Sequence, residues 1–167
     1  PMEMIAAGVA DVLGKYVCLA DWKISRIVNG EYYCPYVAGL VEDNLKSVVS
    51  GIEGVRDREC GAIAEVTQTL ILSGMAIAYV GNSRPASGSE HHLAHYWETV
   101  RLQSGRHDIL HGTNVGVATV VCLSIYKRLA ELLPGLEDRP ITPDVEEWMR
   151  GIERAYGPAA KGVIELE

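Results

Sequence analysis

Apolar residues recur along this chain with the spacing of an α-helix. Between residues 4 and 24 they fall at Ile5, Val9, Val12, Leu13, Tyr16, Leu19 and Ala20, close to a 3.6-residue repeat. Asn29-Gly30 marks a turn, and Pro35 opens a second helix through Leu45 to Val49. A third helix is predicted from about residue 58 to residue 80, where Ala62, Ala64, Glu65, Gln68, Leu70, Leu72, Met75, Ala76 and Ala78 favour helix over a buried strand. Residues 81–88 read as a loop. A fourth helix starts near Ser87 or Ser89 and runs to about Gln103, followed by a turn at 104–108. A fifth runs from His111 to about Leu133, where Pro134-Gly135 stops it, and a last amphipathic one covers 144–156 after Pro140 and Pro143. No two-residue alternation appears, so the expected fold class is all-α, with residues 1–167 forming one domain.

Composition narrows the field. A hydrophobic content of 48% and a charged content of 22% are ordinary for a soluble globular protein. The formal net charge is -7 and the 15 basic residues form no stripe, which argues against a nucleic-acid partner. Cys18, Cys34, Cys60 and Cys122 are scattered without a C-x-x-C pair, a pattern that suits reduced thiols in a cytoplasmic protein. Nothing resembles a signal peptide, and the longest apolar run, 69–80, is short for a bilayer and reads as a buried helix. A soluble protein without a membrane partner is expected. Both ends look cut, so the chain reads as a fragment.

Chemistry concentrates in the run Ser83-Arg84-Pro85-Ala86-Ser87-Gly88-Ser89-Glu90-His91-His92-Leu93-Ala94-His95. His91 and His95 lie four apart, on one helical face. His111 begins a later helix, where the macrodipole disfavours the imidazolium and leaves a lone pair to offer. Two neutral imidazoles with one carboxylate make a three-ligand set that keeps a position open. Asp11, an acid in an otherwise apolar helix, is the attractive carboxylate because such a group is costly unless paired or metal-bound. Asp21 and Glu65 compete with it. His92 and His107 read as solvated or supporting, Trp22, Trp97 and Trp148 as core or interface, and Glu146, Glu147 and Arg150 as a wet helix face. Arg84, with the backbone amides of Ser87, Gly88 and Ser89, could hold a phosphate or the edge of a pyrophosphate. No G-x-G-x-x-G follows a strand, and Gly8 and Gly14 read as close-packing positions in a helix.

The runs 5–16, 19–23 and 83–91, together with His111-Gly112 and 115–119, resemble the sn-glycerol-1-phosphate dehydrogenases, within the superfamily of iron-containing alcohol dehydrogenases, glycerol dehydrogenases and dehydroquinate synthases. The resemblance implies the helical C-terminal domain of a two-domain enzyme, with the nucleotide-binding domain absent from this chain. It implies Asp11, His91 and His111 as ligands of a divalent metal (zinc, with nickel or iron also compatible), and His95 as a pocket residue that moves a proton. The implied chemistry is reversible hydride transfer between NAD or NADP and dihydroxyacetone phosphate or glycerol 1-phosphate, in a cytoplasmic protein with a possible homo-oligomer. On this reading the chain alone turns over nothing. Where the family commonly carries glutamate after His-Gly, Thr113 stands here, which removes an expected hydrogen bond behind the metal ligands. A metal-dependent cyclase of the dehydroquinate synthase type and a non-catalytic helical fragment are the alternatives.

Overall fold

The computed structural model describes residues 1–106, 109–135 and 144–165. The described residues are helical throughout, with no strand among them: α1 (Met2–Asn29), α2 (Pro35–Ser50), α3 (Ile52–Arg56), α4 (Cys60–Val80), α5 (Ser89–Gln103), α6 (His111–Leu132), α7 (Val145–Tyr156) and α8 (Ala160–Ile164). The all-α expectation holds, and the boundaries show where local signals were overridden. Helix α1 continues past residue 24, because nothing stops it until Gly30 adopts the left-handed conformation that glycine tolerates. The expected start of the third helix at residue 58 is replaced by the short α3, a break at Arg58 (φ 61), and a restart at Cys60. Asp144 caps α7 by accepting a hydrogen bond from the Glu147 amide at 2.9 Å. His107 and the stretch 136–143, expected to be a supporting histidine and a lead into α7, lie outside the described residues.

Helix α1 is the hub. One side buries Val9 and Val12 against Leu45 and Val48 of α2, Val55 of α3 and Val66 of α4. Further along, fully buried Trp22 packs with Val37, Ala38, Val41 and Ala76, and its indole donates to the Tyr32 carbonyl at 2.7 Å. The other side of α1 meets α5 and α6, whose own seam is Ala94, Val115 and Ala118. Of the three tryptophans, Trp22 is core, Trp97 half-buried against that seam and Trp148 exposed.

The apolar run ending at residue 80 differs from its expectation. It belongs to a 21-residue helix, α4, that is long and apolar enough by length and composition to cross a membrane, yet it packs on α1, α2 and α3. Its buried face is Val66, Thr69, Ser73 and Ala76, while Ile71, Met75 and Tyr79 are exposed. The inward hydroxyls of Thr69 and Ser73 each donate to the carbonyl four residues back, which satisfies them without an outside partner.

Glycine sets the spacing between α1 and α6. A Cβ on Gly112 would lie 2.0 Å from the Ala7 carbonyl oxygen, and one on Gly116 would lie 2.7 Å from the Ala10 Cβ. On the facing side, a Cβ on Gly14 would stand 3.0 Å from Val115, whereas Gly8 has ordinary room beside Leu70. Residues 112 and 116 are one turn apart, so a smooth strip of α6 lies directly on α1. The variant Gly112→Ala is expected to force the two helices apart and lower stability by about 1–3 kcal/mol, measured by urea denaturation; an unchanged midpoint would mean that the contact does not set the spacing.

Candidate metal centre

The glycine-lined contact brings Asp11, on α1, beside His111, the first residue of α6. Helix α5 supplies His91 from its first turn, and the N-terminal end of α5 is anchored on α1: the Ser89 amide donates to Asp21 at 2.6 Å, and a Cβ on Gly88 would lie 2.7 Å from the Cys18 Cα. The three residues meet as expected. Asp11 Oδ2 stands 3.9 Å from His91 Nε2 and 3.7 Å from His111 Nε2, and the donor atoms of the trio lie within 4.8 Å of one another. Ligands bound ~2.1 Å from a tetrahedral ion stand roughly 3.4 Å apart. The two distances from Asp11 are therefore only a few tenths of an ångström wider than a bound geometry.

Each of the three is held by a charged neighbour. Lys15, one turn along α1 and 2% exposed, donates to Asp11 Oδ1 at 2.7 Å and to the Ala86 carbonyl at 2.9 Å, leaving Oδ2 for the histidines. Glu90 is fully buried; its Oε1 accepts from His91 Nδ1 at 2.7 Å and from the Gly88 amide at 3.1 Å. Glu98 Oε1 accepts from His111 Nδ1 at 2.8 Å and from Asn114 at 3.1 Å. A carboxylate accepts only, so both histidines carry their proton on Nδ1 and turn the Nε2 lone pair toward Asp11. Burial pushes Glu98 up, but the hydrogen bonds from His111 and Asn114 hold it below the usual carboxylate range.

This arrangement answers the departure at Thr113. The hydrogen bond expected from a residue after His-Gly comes instead from α5, where Glu98 follows His91 by seven and His95 by three and so shares their face. Lys15, Glu90 and Asn114 are likewise partners that the sequence reading did not single out. The donor set fits a divalent cation. Asp11, Glu90 and Glu98 set carboxylates against the two histidines, a surrounding that favours a bound cation. Glu90 Oε2 is buried with no hydrogen-bond partner among the described residues, a cost consistent with positive charge nearby. Thiolate ligation is not offered: burial pushes the Cys18 thiol well above its ordinary range and raises that of Cys122.

The remaining candidates separate. Asp21 accepts from the Ser89 amide and the Tyr126 hydroxyl, and Glu65 accepts from Ser47, so both competitors for the ligand role are engaged elsewhere. His95 joins the cluster, its ring stacked on His111 with centroids 5.4 Å apart and edge-on to His91 at 5.8 Å. Burial and the neighbouring imidazoles of His111 and His91 hold His95 below its ordinary value, so it stays neutral and able to accept a proton. His95, Glu98 and His111 form a second trio within ligand distance, but it shares His111, and Glu98 is already the acceptor for His111 and Asn114. His92 is exposed, facing a shallow pocket with Asp21, Ser25 and Arg84.

The expected anion holders are occupied from within. The Ser87 amide donates to the Ser83 carbonyl at 2.9 Å, the Gly88 amide to Glu90, and the Ser89 amide to Asp21. Arg84 pairs with Glu31 at 2.8 Å and 2.9 Å, which holds that carboxyl below its usual range. An anion at this place would have to displace those contacts.

No protein-family model matches the chain. Among known proteins, it is 40% identical over 151 residues to the glycerol-1-phosphate dehydrogenase [NAD(P)+] of Geobacillus stearothermophilus, covering 90% of the chain and 37% of the relative. It is 35% identical over 178 aligned positions to the protein of that name from Bacillus licheniformis, covering all of the chain and 44% of the relative. The archaeal protein of that name from Staphylothermus marinus is 37% identical over 126 residues, covering 75% of the chain and 34% of the relative. The chain thus spans well under half the length of the relatives it matches. At these identities, over most of its own length, the chain belongs to the glycerol-1-phosphate dehydrogenase family and corresponds to one part of its longer members.

Proposed function

We propose that residues 1–167 are the metal- and substrate-holding helical domain of an NAD(P)-dependent glycerol-1-phosphate dehydrogenase, which reduces dihydroxyacetone phosphate reversibly to glycerol 1-phosphate in the cytoplasm. The observation that carries this reading is the convergence of Asp11 Oδ2, His91 Nε2 and His111 Nε2 from three helices, in a chain about 40% identical to a protein named for that activity. Asp11, His91 and His111 would hold the metal, with zinc suited to two imidazoles and one carboxylate. When bound, the metal supplies Lewis-acid polarisation of the substrate's carbon–oxygen bond.

The chain's own residues do the rest. Glu90 and Glu98 fix the tautomers of His91 and His111 and raise their basicity. Lys15 restricts Asp11 to one ligating oxygen and offsets its charge. Neutral His95, beside both histidines, accepts the hydroxyl proton in the oxidative direction and returns it to the oxygen in the reductive one. Arg84 and the backbone of 87–89 form the hydrogen-bonded frame that carries α5, since their donors are already engaged. The hydride carrier, NAD or NADP, would bind the part of the longer relatives that this chain does not cover; those relatives are named for NAD(P)+. The cyclase alternative gains nothing from these relatives.

Metal titration against a chromophoric chelator tests the ligand set. Asp11→Ala, His91→Ala and His111→Ala should each lose stoichiometric zinc, and Glu98→Ala should weaken it by about 10–100-fold. His95→Ala should keep the zinc while slowing dihydroxyacetone phosphate reduction by the whole protein by about 10²–10⁴. Full zinc in the Asp11, His91 and His111 variants would reject the site.

A further inference from the structure

Arg84, just before α5, and Arg101, near its end, are used differently. Arg84 is spent on Glu31, as described above. Arg101, on α5 three residues after Glu98, leaves its Nη1 buried with no hydrogen-bond partner among the described residues. An unmet buried donor costs about 1–3 kcal/mol, more when it is charged, so a guanidinium left this way calls for an anionic acceptor. Its surroundings provide space for one. Arg101 lines a cavity of about 240 Å³ together with Glu98, Arg106, Ile109, His111 and Asn114. That volume is below the ~300 Å³ at which drug-sized pockets begin, a size for a small metabolite. Among the described residues Glu98 is the only carboxylate in the lining, and it is engaged by His111 and Asn114.

We infer that Arg101 anchors the phosphoryl group of the substrate, in a subsite that opens beside His111. The inference rests on the reading of His111 as a metal ligand, and adds to it the residue that recognises a phosphate monoester. A planar guanidinium presents two parallel donors to a phosphate, which gives orientation as well as charge. With the phosphate held at Arg101 and His111 lining the same cavity, a short phosphorylated ketone or alcohol lies with its anionic end on one side of His111 and its carbon chain toward the histidine cluster. The same donor could instead meet a cofactor phosphate. The shared cavity with His111 favours the substrate, and the comparison below separates the two.

The test is titration of the zinc-loaded 167-residue chain with glycerol 1-phosphate, glycerol and NADP, followed by ³¹P NMR and calorimetry at constant ionic strength, for wild type, Arg101→Gln and Arg101→Lys. Wild type should bind glycerol 1-phosphate at least tenfold more tightly than glycerol. Arg101→Gln should lose that preference while keeping full zinc and unchanged helicity by circular dichroism. Arg101→Lys, which keeps the charge without the fork, should keep part of it, and serves as the readout if the glutamine variant does not fold. Glycerol 1-phosphate binding by Arg101→Gln within twofold of wild type would overturn the inference. So would Arg101-dependent binding of NADP without glycerol 1-phosphate, or no glycerol 1-phosphate binding by the zinc-loaded wild type. If the chain takes up no zinc, the metal reading fails by itself; inorganic phosphate bound by the metal-free chain and lost in Arg101→Gln would then still uphold the anchor, and phosphate binding indifferent to Arg101 would reject it.

Discussion

The contact on which this domain depends is the direct approach of α6 to α1. With no side chain at Gly112, the start of α6 sits against the Ala7 carbonyl, and Gly116 repeats the approach one turn on, against Ala10. Asp11 lies beside those contact points on α1, one turn past Ala7 and next to Ala10, and His111 directly precedes Gly112. Backbone proximity here creates the donor geometry: with larger residues at 112 and 116 the helices would stand further apart, and Asp11 and His111 would no longer lie 3.7 Å from each other. Helix α5 completes the arrangement from the other flank through the packing of Gly88 on α1 and the hydrogen bond from the Ser89 amide to Asp21.

Charge is the second constraint. Bringing Asp11, Glu90 and Glu98 close together is unfavourable in a low-dielectric setting unless opposite charge is supplied. Lys15 supplies one positive charge and aims it at the outer oxygen of Asp11. A divalent ion between Asp11 and the two histidines would supply further opposite charge, so the stability of this region and its capacity for metal are linked. The buried, unpartnered oxygen of Glu90 belongs to the same imbalance. Arg101 is its counterpart: among the described residues its buried Nη1 lacks an acceptor, where the buried Oε2 of Glu90 lacks a donor.

Much of this was legible in the sequence. The 3.6-residue period located the long helices, and Gly30 and the Pro134-Gly135 pair marked stops. His111 stood out because it begins a helix, His91 through the family resemblance that its run carries, and Asp11 because an acid in an apolar helix needs a partner. The break at Arg58 escaped: it is closed by the Glu59 amide donating to the Gly54 carbonyl, with an arginine where a glycine would have marked the left-handed turn. The rest of what escaped was long-range. Glu98 was invisible as the support for His111 because that pairing joins two helices, although its seven-residue spacing from His91 placed it on the correct face. Lys15 looked like an ordinary helix lysine, yet it is buried and bridges Asp11 to the Ala86 carbonyl. The rule about helix starts points to Arg84 and the amides of 87–89 as anion holders, but Arg84 pairs with Glu31 and the three amides donate to the Ser83 carbonyl, Glu90 and Asp21.

The central claim is that three helices present two imidazole nitrogens and one carboxylate oxygen to a single divalent ion. X-ray absorption spectroscopy at the zinc edge, on the chain loaded with one equivalent of zinc, tests it most directly. The account predicts a first shell of nitrogen and oxygen at about 2.0–2.1 Å, with the outer-shell scattering of two imidazole rings. A shell containing sulfur at about 2.3 Å, or one without imidazole scattering, would contradict it.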